Sequence, residues 1–255
     1  MSSVLKSDEN NAQLMLHIKD MVLRTEKSYR KSFTAFLDIH QRKLAEESLK
    51  KIGSNVCFKF YGGYADAERT MLCIYDEYDE VSDGDFPFEC ITIEYDKNKK
   101  LSHRDFLGAF MSCMIKRNVI GDIIISDGIA QVFVLDNFVD VIMNDVSKIA
   151  DVGVKFSTDK PVIEYERSFD IIENTVASVR ADAVIHTAAH ISREKAAELI
   201  RRGLVVKNGM TENSASDKME EGDVFSVRGF GKFRLKEIGG LTKKGRIRIC
   251  VEKYK

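Results

Sequence analysis

The chain has 255 residues, of which 44% are hydrophobic and 31% charged; that suits a water-soluble protein with two or three small cores. No apolar run approaches the roughly 18–20 residues of a membrane span, and the first residues carry no signal-peptide pattern, so a cytoplasmic chain with no membrane partner is expected. The net charge of −1 conceals an asymmetry: residues 1–170 hold 22 Lys+Arg and 29 Asp+Glu, residues 171–255 hold 17 and 11, and a basic end points to a polyanionic partner.

In chain order, apolar residues at helical spacing predict a helix over 12–30 and a second over 41–52, which Gly53 ends in a left-handed cap. Strands are expected at 56–61 and 70–75, separated by a loop that begins Gly62-Gly63. Paired glycines suggest a phosphate cradle, but no G-x-x-x-x-G-K-[ST] pattern and no lysine follow them, so a structural turn is the better reading. Glu68 and Arg69 at the end of the loop stay open as contact residues.

The acidic stretch 76–85 has little to bury and marks a domain boundary. After it come a strand at 88–95, a helix over 102–115, strands at 122–126 and 130–135 around Asp127-Gly128, a helix over 136–150 and a strand at 152–156. Ser102 and Asp136 are the expected helix caps, and Asp127-Gly128 suits a tight hairpin. The order β-α-β-β-α-β is that of the ferredoxin-like, RRM-like unit. An RNA-reading sheet of this kind displays aromatic residues on a central strand. Here 122–126 has none and Phe133 stands alone, so the unit is assigned a supporting or docking role. His103-Arg104-Asp105 looks like the kinase catalytic triplet, yet the asparagine position five residues after the aspartate is Phe110, and the triplet is read as a helix start. A further strand is expected at 162–165 and an irregular connector at 167–178.

The C-terminal stretch opens with a short helix over 181–189 and a second one capped by Ser192 and stopped by Gly203. On the second helix Ala196, Leu199 and Ile200 form the apolar face, while Arg193, Ala197 and Arg201 fall at i, i+4, i+8 and make a flat basic surface. Glu198 and Arg202 read as an ordinary intrahelical pair. Strands follow at 204–208, 224–228, 232–236 and 246–251, with basic residues recurring on them.

Other chemistries find little support. The five cysteines contain no C-x-x-C pair, which fits reduced, mostly buried thiols. His186 and His190 have zinc-compatible spacing but no third ligand nearby, and Ser192 to Lys195 fits S-x-x-K without its companion motifs.

The segments Arg180-Ala181-Asp182, Ile191-Ser192-Arg193-Glu194-Lys195-Ala196, Leu199-Ile200-Arg201-Arg202-Gly203, Val206-Lys207-Asn208-Gly209 and Gly222-Asp223-Val224 resemble, in this order, the S4-type RNA-binding domain. Ala181 departs from it, since the family has a larger apolar residue there. The whole chain is similar to the YlmH family of bacterial S4-domain proteins through Phe36-Leu37-Asp38, Gly62-Gly63-Tyr64, Ala67-Glu68-Arg69, His103-Arg104-Asp105-Phe106-Leu107-Gly108, Ile120-Gly121-Asp122-Ile123 and Val227-Arg228-Gly229-Phe230-Gly231-Lys232-Phe233. Ile39 stands where that family has proline. The resemblance implies ribosome association, including binding to large subunits stalled with peptidyl-tRNA in ribosome quality control, and a link to cell division.

The expected protein is thus α+β in three small domains: an N-terminal α/β unit at 1–82, a ferredoxin-like unit at 83–170 and an S4-type unit at 171–255. Its expected partners are RNA (rRNA and/or tRNA) and the ribosome, through its large subunit. It is expected to act as a monomer, without a cofactor, a metal or a catalytic residue. Arg180, Arg193, Lys195 and Arg201 are the expected phosphate contacts, with Ser192 offering its hydroxyl; Lys207, Arg228, Lys232 and Arg234 widen the footprint. The competing reading is an RNA-modifying enzyme of the pseudouridine synthase or methyltransferase kind. The methyltransferase is opposed by the absence of a glycine-rich βα turn. The synthase would need a larger domain with a catalytic aspartate in an RNA-facing motif, and none is visible.

Overall fold

The computed structural model describes residues 2–163 and 168–254, the backbone alone for 2–9. Contacts divide the chain into two compact units, 1–165 and 166–255.

In the first unit, helix α1 (Ser2–Ser28) is followed by β1 (Ser32–Phe33), α2 (Ile39–Ile52), β2 (Cys57–Tyr61) and β3 (Met71–Tyr75). Helix α1 begins well before the expected residue 12, because its polar first turns carry no apolar stripe to reveal them. The departure at Ile39 does not disturb the start of α2. The Gln41 N–H donates to Asp38 Oδ1 at 2.9 Å and the Asp38 N–H to Gln41 Oε1 at 3.0 Å, a reciprocal capping box. Gly53 closes the helix at φ 64°, as expected. Strands β1, β3 and β2 form an antiparallel sheet in that order. Ile18, Met21 and Val22 of α1 and Ala45 and Leu49 of α2 pack with Leu72 and Ile74 of β3.

The chain continues with β4 (Phe88–Glu94), α3 (His103–Ser112), β5 (Ile120–Ser126), β6 (Ile129–Leu135), α4 (Asp136–Asp145), the two-residue strands β7 (Lys148–Ile149) and β8 (Val152–Gly153), and β9 (Lys155–Ser157). The second sheet has the antiparallel order β5-β6-β4-β9, which is how a β-α-β-β-α-β chain builds a split β-α-β sheet. Asp136 is the first residue of α4 instead of its cap: the cap position is Leu135, and the Asp136 N–H donates to the Pro87 carbonyl at 3.2 Å. Helix α4 stops at Asp145, short of the expected 150, because the chain turns into the β7–β8 hairpin with Ala150 at φ 52°. The strand expected at 162–165 lies partly outside the described residues. At 161–163 the Gln131 side-chain amide takes the role of a strand partner, donating to the Pro161 carbonyl at 2.8 Å and accepting the Ile163 N–H at 2.6 Å.

The two sheets share a core across the expected boundary at 82/83. Phe36, Met71 and Cys73 from before it pack with Phe86, Ile124 and Phe133 from after it. Burying a phenylalanine such as Phe36 or Phe133, at 0% and 1% exposure, contributes about 1.5–3 kcal/mol.

The second unit contains β10 (Phe169–Val176), α5 (Ala181–Ala189), α6 (Arg193–Arg201), β11 (Val205–Lys207), β12 (Met210–Thr211), β13 (Val224–Val227), β14 (Gly231–Leu241) and β15 (Ile247–Tyr254). They form a six-stranded sheet in the order β10-β15-β14-β13-β11-β12. The expected connector at 167–178 is therefore a strand over most of its length, with eight residues paired to β15. Its sequence hides this because only Ile172 and Val176 lean on the core while Asp170, Glu173 and Asn174 are exposed. Helices α5 and α6 cover one face of the sheet, where Val184, Ala196, Leu199 and Ile200 meet Phe225, Phe233, Leu235 and Val251.

Candidate nucleic-acid interface

Helix α5 is anchored at its start. The Ala181 N–H donates to the Asp217 carbonyl at 2.8 Å and the Asp182 N–H to the Ala215 carbonyl at 3.1 Å. It ends at His190, in the left-handed conformation at φ 53°, while His186 Nδ1 donates to the Ile191 carbonyl. Among the described residues no three His, Cys, Asp or Glu side chains lie together as potential metal ligands. Ser192 then caps α6, its Oγ accepting the Lys195 N–H at 3.1 Å. The S-x-x-K pair is thus a helix cap, with the Lys195 amine turned to Glu198 Oε2 at 2.9 Å.

Burial of Ala196, Leu199 and Ile200 leaves the face of Arg193, Ala197 and Arg201 outward. Arg193 Nη2 donates to Asp182 Oδ2 at 2.7 Å, and Arg180 Nε reaches Asp182 Oδ1 at 3.3 Å. Arg201 is exposed, and its side chain makes no hydrogen bond or ion pair among the described residues. Glu198 takes both Lys195 and, at 3.1 Å, Arg202. Those hydrogen bonds from Lys195 and Arg202 hold its carboxyl below the ordinary glutamate range.

The strand residues are placed differently. Lys207 pairs with Glu212 at 2.9 Å, the glutamate side chain being 5% exposed. Burial alone would lower the Lys207 pKa, but the Glu212 hydrogen bond and charge raise it above the ordinary value. Arg228 is exposed at the end of β13, its backbone N–H held by the Leu204 carbonyl. Lys232 lies over the Tyr254 ring, 4.8 Å from its centroid, and the Arg234 guanidinium over Phe169 at 5.1 Å. Because Phe233 and Leu235 enter the core under the helices, strand alternation puts Lys232 and Arg234 on the opposite face of the sheet. The structure therefore groups Arg180, Ser192, Arg193, Lys195 and Arg201 on the helical layer and sets Lys232 and Arg234 apart from them. Asp182, visible in the sequence only within the Arg180-Ala181-Asp182 motif, joins two of the arginines. An acidic residue two positions after an arginine at a helix start is the one signal that marks it.

In the first unit the glycine-bearing loop holds an internal carboxylate. Asp122 Oδ2 accepts the Glu68 N–H and the Tyr64 hydroxyl, each at 2.7 Å, and Oδ1 accepts the Arg69 N–H at 3.2 Å. The Arg69 guanidinium donates to the carbonyls of Ile120, Phe36 and Arg117, so its role is structural; burial lowers its pKa. In the kinase-like triplet, Asp105 accepts the Ser102 N–H and hydroxyl, both at 2.7 Å, and serves as the N-terminal partner of α3. Phe133 is buried and T-stacked on Phe88, so it offers no ring for a base.

A family model described as "Putative RNA-binding domain in YlmH" matches residues 82–162. The ribosome-associated protein quality control protein P2 of Bacillus subtilis (strain 168) is 31% identical over 237 residues, covering 90% of either chain. Among solved structures, the cell division protein ylmH from Streptococcus pneumoniae is similar with a TM-score of 0.52 at 20% identity, covering 60% of this chain and 92% of that one. At that identity the likeness is one of fold.

Proposed function

The chain belongs to the YlmH family, and on that footing we propose that it is a ribosome-associated RNA-binding protein that acts in quality control of translation. It binds rRNA and/or tRNA on large subunits carrying peptidyl-tRNA. It does so as a cytoplasmic monomer and holds its RNA without changing a covalent bond. In this reading the chain has three modules, at 1–82, 83–170 and 171–255, the first two packed on a common core, the central one ferredoxin-like and the last S4-type.

The observation that carries the reading is the face of α6, where exposed Arg193 and Arg201 flank the small Ala197 on a helix whose other side is buried. Guanidinium groups on a flat surface can reach phosphates without obstruction. The B. subtilis relative supplies the ribosomal context through its name.

Cosedimentation with separated ribosomal subunits across a salt series tests the proposal. Wild type is expected on the large subunit, with affinity falling by about 0.7–0.9 log units per tenfold salt for each phosphate engaged. An Arg193→Ala/Arg201→Ala double variant that stays folded and binds as wild type does would overturn the assignment. A new modified nucleotide in rRNA after incubation with the protein would replace it with an enzymatic one.

A further inference from the structure

Asp182 is an acidic residue in the middle of a surface read as binding a polyanion. Its side chain is 11% exposed, whereas those of Arg180 and Arg193 are 45% and 48% exposed. Each carboxylate oxygen takes one arginine, Oδ1 the Arg180 Nε at 3.3 Å and Oδ2 the Arg193 Nη2 at 2.7 Å. Five N–H donors on each guanidinium leave the rest of each fork available. The backbone beneath is fixed by the bonds of Ala181 and Asp182 to the carbonyls of Asp217 and Ala215, and by the Arg180–Lys218 bridge.

We infer that Asp182 is the positioning residue of the phosphate-contacting surface: it holds Arg180 and Arg193, from the starts of two different helices, in one preset arrangement. This rests on the RNA-binding reading above. A solvated arginine samples many rotamers and loses that freedom when it docks, and ordering it beforehand lowers the cost of binding. The two possible effects of Asp182 have opposite signs. As a bare negative charge it repels phosphate, and its removal tightens binding. As a positioning group it organises the arginines, and its removal weakens binding.

The test is equilibrium binding of the full chain to purified large ribosomal subunits at fixed salt, for wild type, Asp182→Asn, Arg180→Ala/Arg193→Ala and the triple variant, with thermal unfolding in parallel. Asp182→Asn is expected to bind about tenfold more weakly, and the triple variant no more weakly than the double one, since Asp182 then has nothing to position. Binding by Asp182→Asn that equals or exceeds wild type overturns the inference. So does a loss that persists undiminished in the triple variant, which would show that Asp182 acts through the fold alone. An Arg193→Ala/Arg201→Ala control that binds normally identifies the separate case in which the RNA-binding reading has failed, and the inference falls with it.

Discussion

Arg234 and Glu252 are Cα partners across β14 and β15, and Arg234 Nε donates to Glu252 Oε2 at 2.7 Å. The second oxygen takes Lys236 at 2.9 Å, and the glutamate side chain is 3% exposed. Burial alone would raise its pKa, yet the hydrogen bonds from Lys236 and Arg234 hold it below the ordinary glutamate value. Stability from such a depressed group is fully present above about pH 4.3 and is lost as the pH falls through the folded-state value. With both cations partly in water, Glu252→Gln is expected to cost about 1–2 kcal/mol at pH 7. It should also remove part of the acid destabilisation of the second unit. Hydrogen exchange of the β14 and β15 amides at pH 7 and at about pH 3 measures both.

The cations of the second unit should separate into two classes. Lys207→Met leaves Glu212 buried without its partner and is expected to cost about 2–3 kcal/mol of stability, with little change in RNA affinity per folded molecule. Arg201→Ala should alter stability by no more than about 0.5 kcal/mol while lowering the salt slope of ribosome binding by about 0.7–0.9. Thermal melts beside cosedimentation give the comparison. Equal binding losses for the two variants would contradict the division.

Asp122 holds the loop from Tyr64 to Arg69 by three hydrogen bonds. Asp122→Ala removes these three hydrogen bonds, two of them from backbone N–H groups, at an expected cost of about 3 kcal/mol. Urea unfolding of the full chain, read through hydrogen exchange in β3 and β5, should show the loss confined to the first unit.

Gly63 has φ 99°, and a Cβ there would lie 2.1 Å from Phe133 Cε1. Gly63→Ala is expected to destabilise the first unit by about 3 kcal/mol or more, by strain and by displacement of a buried ring. Gly53→Ala, at φ 64° with nothing within 4 Å, should cost about 1 kcal/mol. Melting temperatures of the two variants test the ranking.

Burial pushes the Cys73 thiol up to about 12 and the Cys90 thiol up to about 11. Both should react slowly with a maleimide at pH 8 in the folded protein and rapidly in denaturant, since the thiolate is the nucleophile. Mass spectrometry of labelled peptides over time follows each cysteine separately.

Features set by neighbours in the chain were legible from the residues alone. The Ser192 cap, the Gly53 stop, the Asp127-Gly128 turn and the outward face of Arg193 and Arg201 depend on contacts within a few positions. Features set by strand register were not. The strand at 169–176 exists because it pairs with 247–254, and its own polar residues argue against it. The neutralisation of Arg234 depends on Glu252, which only the β14–β15 register brings opposite. The common core of Phe36 and Phe133 likewise joins distant segments, so an acidic stretch at 76–85 reads as a boundary although packing continues across it.

The pairing of β10 with β15 has a mechanical consequence. Phe169 faces Tyr254 at one end of the ladder and Val176 faces Ile247 at the other. Tension applied at residues 169 and 254 therefore loads the ladder from a single end and opens its bonds in succession instead of shearing them together. Strand β10 therefore opens from its Phe169 end, and the pairs nearest α5, at Val176 and Ile247, are the last to part.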